Sequence, residues 1–193
     1  MATLKLNNVR LAFPHVFAPK ATDDGEPKYS VTLLLPPDHP QLPEVAAAIK
    51  AVAVDKWGAK AQLQLTQLKA AGKLPVHDGA EKSQYTGFEG NVYINCSSKL
   101  PPLVLGTDRR PVDQASGLIY PGVFANVIVD IWAQDNSYGK RINAGFTGVQ
   151  FARHGEELAG PRRATVDDFD DISGEAEVPA PAPQGMGGFA DLL

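Results

Sequence analysis

A mainly β body with one helical insertion and an acidic tail is the architecture this sequence predicts. Five segments have the apolar patterning of strands, a stretch between the second and third repeats at helical spacing, and the composition changes after Gly160. Residues 3–13 (TLKLNNVRLAF) read as a strand interrupted by a bulge near Asn7-Asn8. The turn formers from Pro14 to Pro27 predict a loop. Residues 28–35 (KYSVTLLL) form a strand that stops at Pro36-Pro37. On it Tyr29, Val31, Leu33 and Leu35 share one face, opposite Lys28, Ser30 and Thr32. Pro43 suits a first helical turn. Val45, Ile49 and Val52 then recur at helical spacing as far as Trp57-Gly58, and a weaker helical stretch covers 59–71.

Residues 90–97 (GNVYINCS) alternate as the third strand. A long loop, 98–122, carries Lys99, Arg109 and Arg110. Residues 123–133 (VFANVIVDIWA) are the strongest strand in the chain. Asp135 to Gly139 reads as a hairpin turn, after which 140–151 (KRINAGFTGVQF) return as a glycine-rich strand.

The net charge of −4 divides unevenly along the chain. Residues 1–163 hold all 18 Lys and Arg and 15 of the 22 acids, a net +3, whereas 164–193 hold seven acids and no base, a net −7. The division sets a body, 1–163, apart from a tail, 164–193, and points to a polyanion for the body or a basic partner for the tail. Low hydrophobicity with many acids, Pro and Gly cannot offset the entropy of ordering, so the tail is expected to be disordered. It carries two apolar-acidic islands: Asp167, Asp168, Phe169, Asp170 and Asp171 in the first, and Phe189, Leu192 and Leu193 in the second.

Enzyme signals are poor. His15, His39, His77 and His154 are scattered at no metal-ligand spacing, and a single cysteine, Cys96, builds neither a disulfide nor a cysteine-rich zinc site. Neither a phosphate loop of the GxxxxGK type nor a dinucleotide GxGxxG is present. The acidic run at 167–171 lacks the glycine and the spaced glutamate of a calcium loop. The expectation is a non-catalytic protein without metal or cofactor. No apolar run reaches the roughly 20 residues of a membrane span and the first residues lack a signal pattern, so a cytoplasmic location is expected.

Strand parity is more informative. In 91–97, Val92, Ile94 and Cys96 share a core face, which leaves Tyr93 on a face with Asn91, Asn95 and Ser97. In 124–133, Val127, Val129 and Ile131 form the core face and Trp132 lies on the opposite one, beside the hairpin that carries Tyr138, Lys140 and Arg141. Aromatics interleaved with bases on an open sheet suit a single nucleic-acid strand, because every base offers a π-face. Tyr93, Trp132 and Tyr138 are therefore the candidate stacking residues. Lys28, Lys99, Arg109, Arg110, Lys140 and Arg141 are the candidate phosphate contacts. The alternative is that Tyr93 and Trp132 cover a second small core. For Phe13 and Phe17, near Lys20, packing is preferred over stacking.

The runs VRLAFPHVFAPKA, GEPKYSVTLLLP, YINCSSK, YPGVFANVIVDIWAQDN and KRINAGFTGVQ, followed by DDFDD, resemble in order a bacteriophage single-stranded-DNA-binding protein family long known only as a domain of unknown function. The resemblance implies an OB fold, a five-stranded Greek-key barrel. The usual OB helix lies between strands three and four, whereas the helical stretch here falls between strands two and three. The resemblance further implies single-stranded DNA as partner, a role in phage replication or recombination, and the host cytoplasm as location. It also implies an acidic tail that recruits replication or recombination proteins and competes with DNA. A homo-oligomer is compatible with this class, although no heptad marks one. The rival reading is a structural or interaction module that binds no nucleic acid.

Overall fold

The computed structural model describes residues 1–21 and 25–158. The expected tail, 164–193, with its two islands, lies outside the described residues, as does the boundary at 163. The described residues hold seven strands and two α-helices: β1 (Ala2–Lys20), β2 (Lys28–Leu35), α1 (Leu42–Trp57), α2 (Ala61–Ala70), β3 (Val76–Asp78), β4 (Val92–Ser98), β5 (Leu103–Leu105), β6 (Phe124–Asn136) and β7 (Gly139–Arg153).

The sheet order is β3-β4-β2-β1-β6-β7-β5, with every pairing antiparallel except β5 on β7. The sheet curls until β4 meets β7, as a Cβ on Gly145 of β7 would lie 3.2 Å from the Ser97 carbonyl oxygen of β4. No hydrogen-bonded ladder joins these two strands, because β3 pairs with one end of β4 and β5 with the far end of β7. The five long strands thus run β1-β2-β4-β7-β6 around an OB-like barrel that is left open at one seam. The helical insertion falls between β2 and β4, as the sequence predicts.

Alternation builds the core. Val31, Leu33, Leu35, Ile94, Cys96, Val127, Val129 and Ile131 all point into one buried cluster. From α1, Val45, Ala48, Ile49, Val52 and Ala53 join the same cluster. Burial pushes the Cys96 thiol up to about 12, so it is an inert packing group.

Two differences from the sequence expectation have local causes. β1 does not stop at Phe13 but continues to Lys20, because Pro14 falls at a register shift between Ala12 and His15 where no ladder N–H is needed. The short strands β3 and β5 are too brief to show alternation, so seven strands are found where five were expected. The bulge expected at Asn7-Asn8 is present, with Asn8 at φ 53° and the register shifting between Leu6 and Val9.

Candidate nucleic-acid interface

The outer face of β1, β2 and β4 is built in cross-strand rows. Ala12, Thr32 and Asn95 form one row, and His15, Ser30 and Ser97 the next. Lys20 and Lys28 oppose each other in the row beyond, and Lys99 follows Ser98, the partner of Tyr29. The face therefore grades from an amide and hydroxyls to lysines. Two like charges directly opposite destabilise a strand pair, so a bound anion would relieve the Lys20–Lys28 pair. Lys99 is held by Glu26 at 2.5 Å, and the Lys99 ammonium keeps the Glu26 carboxyl below its usual range.

A shallow cavity of about 270 Å³ lies on this face, lined by Phe13, Ser30, Val31, Thr32, Asn95, Cys96 and Ser97. Its aromatic wall is Phe13, which sits at φ 48° and is 43% exposed. A bulky residue in the left-handed region is strained, and the bulge that imposes it turns the ring outward. Tyr85, 45% exposed, meets Phe13 edge-on with centroids 5.2 Å apart. Packing was the preferred sequence reading for both phenylalanines. Phe17 packs against the core, and Phe13, although 43% exposed, also lies against Phe88 of the second core with ring centroids 5.9 Å apart.

Tyr93 requires correction. Its parity is as expected, opposite Ile94 and Cys96, yet it is only 3% exposed. It packs with Ala12, Leu34, Phe88 and Leu158 in a second core. The segment 79–91 folds back over that end of the face, closed by the Gly79 amide donating to Asn91 O at 2.8 Å. Tyr93 donates its hydroxyl to Glu81 at 3.2 Å, His77 stacks on its ring, and Lys82 Nζ sits 4.7 Å from the ring centroid. Burial, then the Glu81 charge, raises its hydroxyl pKa. Parity names a face but not what covers it, so Tyr93 is a core residue and is unavailable for stacking.

Trp132 is half-buried on the outer face of β6. A Cβ on Gly145 would lie 3.0 Å from Trp132 Cζ3 and 3.2 Å from Ser97 O, so the indole and the end of β4 flank the same glycine. The open seam thereby brings Trp132 alongside the Ser30–Ser97 row. Arg141 pairs with Gln134, which shares the Trp132 face by alternation, and is exposed. Tyr138 is 85% exposed at the hairpin tip.

The other expected contacts lie elsewhere. Lys140 pairs in register with Asp135 and is 3.5 Å from its carboxylate, on the side facing α1, where Trp57 Nε1 also donates to Asp135 at 2.9 Å. The Trp57 hydrogen bond, with Lys140 adding to it, keeps the Asp135 carboxyl below its usual range. Arg109 and Arg110 occupy the turn after β5, level with Gln150, whose amide donates to Gly106 O. That turn is about 17 Å along β7 from Gly145 at the rise of a strand. Sequence reasoning missed Tyr85 as a member of the face and ranked Phe13 and Lys20 below packing of that loop. It also missed Arg153, whose guanidinium carbon lies 3.5 Å from the Phe124 ring centroid on another part of the barrel. Among the described residues no group of His, Cys, Asp and Glu could hold a metal ion, and no helix is long and apolar enough to cross a membrane.

Comparison with known proteins identifies relatives of this architecture. Protein p50 of Acyrthosiphon pisum secondary endosymbiont phage 1 is 37% identical over 174 residues, which make up 88% of this chain and 94% of that protein. The single-stranded DNA-binding protein from bacteriophage Enc34, solved as a C-terminal truncation, superposes with a TM-score of 0.66 at 30% identity over 81% of this chain and 88% of that one. The same phage protein in complex with ssDNA gives a TM-score of 0.61 at 30% identity, covering 81% and 89%. Residues 2–179 match the family described by the Enterobacter phage Enc34 ssDNA-binding protein, and the chain belongs to that family.

Proposed function

We propose that this protein binds single-stranded DNA along the outer face of β2 and β4, requires no particular sequence, and performs no catalysis. The observation that carries the proposal is the juxtaposition of exposed Phe13 and Tyr85, the polar floor from Thr32 to Ser97, the flanking Trp132 and the lysines at the end of the rows. Bases stack on Phe13, Tyr85 and Trp132, while Lys20, Lys28, Lys99 and Arg141 meet phosphates. Tyr138 extends the aromatic surface at the hairpin. Stacking is indifferent to base identity to a first approximation, and it contributes about 1–3 kcal/mol per base. Support comes from membership of a family whose phage Enc34 protein is solved in complex with ssDNA.

Membership of the phage family supports a setting in which the protein coats strands exposed in phage replication or recombination, in the host cytoplasm. The acidic segment 164–193 recruits replication or recombination proteins through 167–171 and 189–193. It also competes with DNA for the lysines, since a tethered segment acts at an effective concentration on the order of millimolar. A chain ended after Arg163 then binds oligonucleotides more tightly at low salt, and equal affinity refutes the competition.

The direct test of binding is a tryptophan-fluorescence titration with oligo-dT at two salt concentrations, with a matched duplex as control. A Trp57→Phe variant assigns the signal to Trp132, the other of the two tryptophans. Saturable quenching that weakens with salt and prefers the single strand is expected. No binding by fluorescence or anisotropy, with or without 164–193, refutes the proposal and favours an interaction module.

A further inference from the structure

The cavity on the β2–β4 face has one polar group of fixed polarity. Thr32 and Asn95 are cross-strand partners, and the Thr32 hydroxyl donates to Asn95 Oδ1 at 3.0 Å. Thr32 is only 7% exposed, and the donation of its hydroxyl to Oδ1 orients the amide with its NH₂ turned away from Thr32. With Oδ1 engaged by Thr32, the Asn95 NH₂, which donates and never accepts, is left to an occupant of the cavity. In the adjacent row, Ser30 and Ser97 offer hydroxyls, which rotate to donate or accept as needed. Phe13 supplies an aromatic wall for any base.

Accepting the proposed binding face, we infer that Asn95 is a specificity-determining residue. It reads the edge of the base held against Phe13 and favours bases with a keto group there, thymine and guanine, over those with an amino group, cytosine and adenine. Thymine O4 and guanine O6 accept from the Asn95 NH₂, whereas cytosine N4 and adenine N6 present N–H groups to an N–H donor. Stacking remains tolerant of sequence, and the amide adds a bias on top of it. One neutral hydrogen bond made or lost predicts a bias of about two- to ten-fold per occupied cavity.

The test is competition anisotropy on the full chain with oligo-dT and oligo-dC of equal length. Both are single-ring bases that differ at the exocyclic group, at N3 and in the C5 methyl, so the part due to Asn95 is read from how the ratio of their affinities changes between proteins. Three proteins are compared: wild type, Asn95→Ala and Asn95→Asp. In Asn95→Asp the Thr32 hydrogen bond persists while the outward donor becomes an acceptor. The added negative charge weakens both oligonucleotides alike and cancels in the ratio, and intrinsic differences between the two strands cancel when the ratio is compared between proteins. The dT/dC ratio is expected to be highest in wild type, about two- to ten-fold lower in Asn95→Ala, and lower again in Asn95→Asp. If Asn95→Asp does not fold, the wild type and Asn95→Ala alone decide the outcome. An unchanged ratio with binding retained overturns the inference and leaves the binding face intact. Wild-type protein that binds neither oligonucleotide overturns both.

Discussion

At the scale of single residues, a side chain's availability is decided by what packs above it. Tyr93 is buried and Phe13 is exposed, the reverse of what strand parity alone suggests. Tyr93 lies under the 79–91 segment with its hydroxyl on Glu81, while Phe13 is turned outward at φ 48°. Tyr93→Phe is therefore expected to lower stability by about 0.5–1.5 kcal/mol, the net value of one hydrogen bond, with oligo-dT affinity unchanged. Urea denaturation and anisotropy measure the two effects separately. His15, beside Ser30 in the polar rows, has its pKa lowered from 6.5, first by burial and then by Lys20. A depressed histidine favours the neutral folded form. Its contribution to stability is present above pH 6.5 and is lost as pH falls through the folded value. Protonation also adds positive charge to the proposed face, so DNA affinity moves the opposite way and rises on acidification. In His15→Gln, both the acid-side fall in denaturation midpoint and the rise in affinity should be smaller than in wild type. Identical pH profiles would show that His15 titrates without consequence.

At the scale of elements, β4 and β7 leave an open seam beside the proposed face by failing to pair. Their seam is open because β3 and β5 occupy part of each edge, and Gly145 keeps the gap narrow enough for Trp132 to approach Ser97. Gly145→Ala places a methyl 3.0 Å from the indole and 3.2 Å from a backbone carbonyl, of which only the indole can yield. The expected cost is about 1–3 kcal/mol by overpacking, with a displaced indole changing the Trp132 emission. Thermal melts and fluorescence spectra read both, and an unperturbed melt with unshifted emission contradicts this packing. The long strands, the helical insertion and its place between β2 and β4 were legible in the sequence, because period 2 and period 3.6 are local signals sustained over many residues. β3, β5 and the 79–91 cover were not. Three-residue strands carry no period, and a turn-rich segment gives no local sign of which face it returns to.

At the scale of the whole molecule, charge acts through placement more than through its total. Of the bases expected to meet phosphate, Lys28, Lys99 and Arg141 fall on or beside one face. Lys140 pairs with Asp135 near α1, and Arg109 and Arg110 sit at a distant turn. The linear sequence ranks all of these alike, because spacing along the chain does not reveal register around a barrel. With about four phosphates neutralised by Lys20, Lys28, Lys99 and Arg141, a plot of log K against log salt should slope near −2.8 for a single strand, and a slope near zero would deny these bases a role. The central claim is that the strand lies between Phe13 and Trp132. Its most direct test measures labelled oligo-dT anisotropy for two double variants, Phe13→Ala with Trp132→Ala and Arg109→Ala with Arg110→Ala. Removing two stacking rings at about 1–3 kcal/mol each predicts a loss of affinity of at least about 30-fold for the first pair. The arginine pair should lose only a small fraction of that. A large loss on removing the arginines, with little change on removing the rings, would contradict the account and move the strand to the β5–β7 side of the barrel.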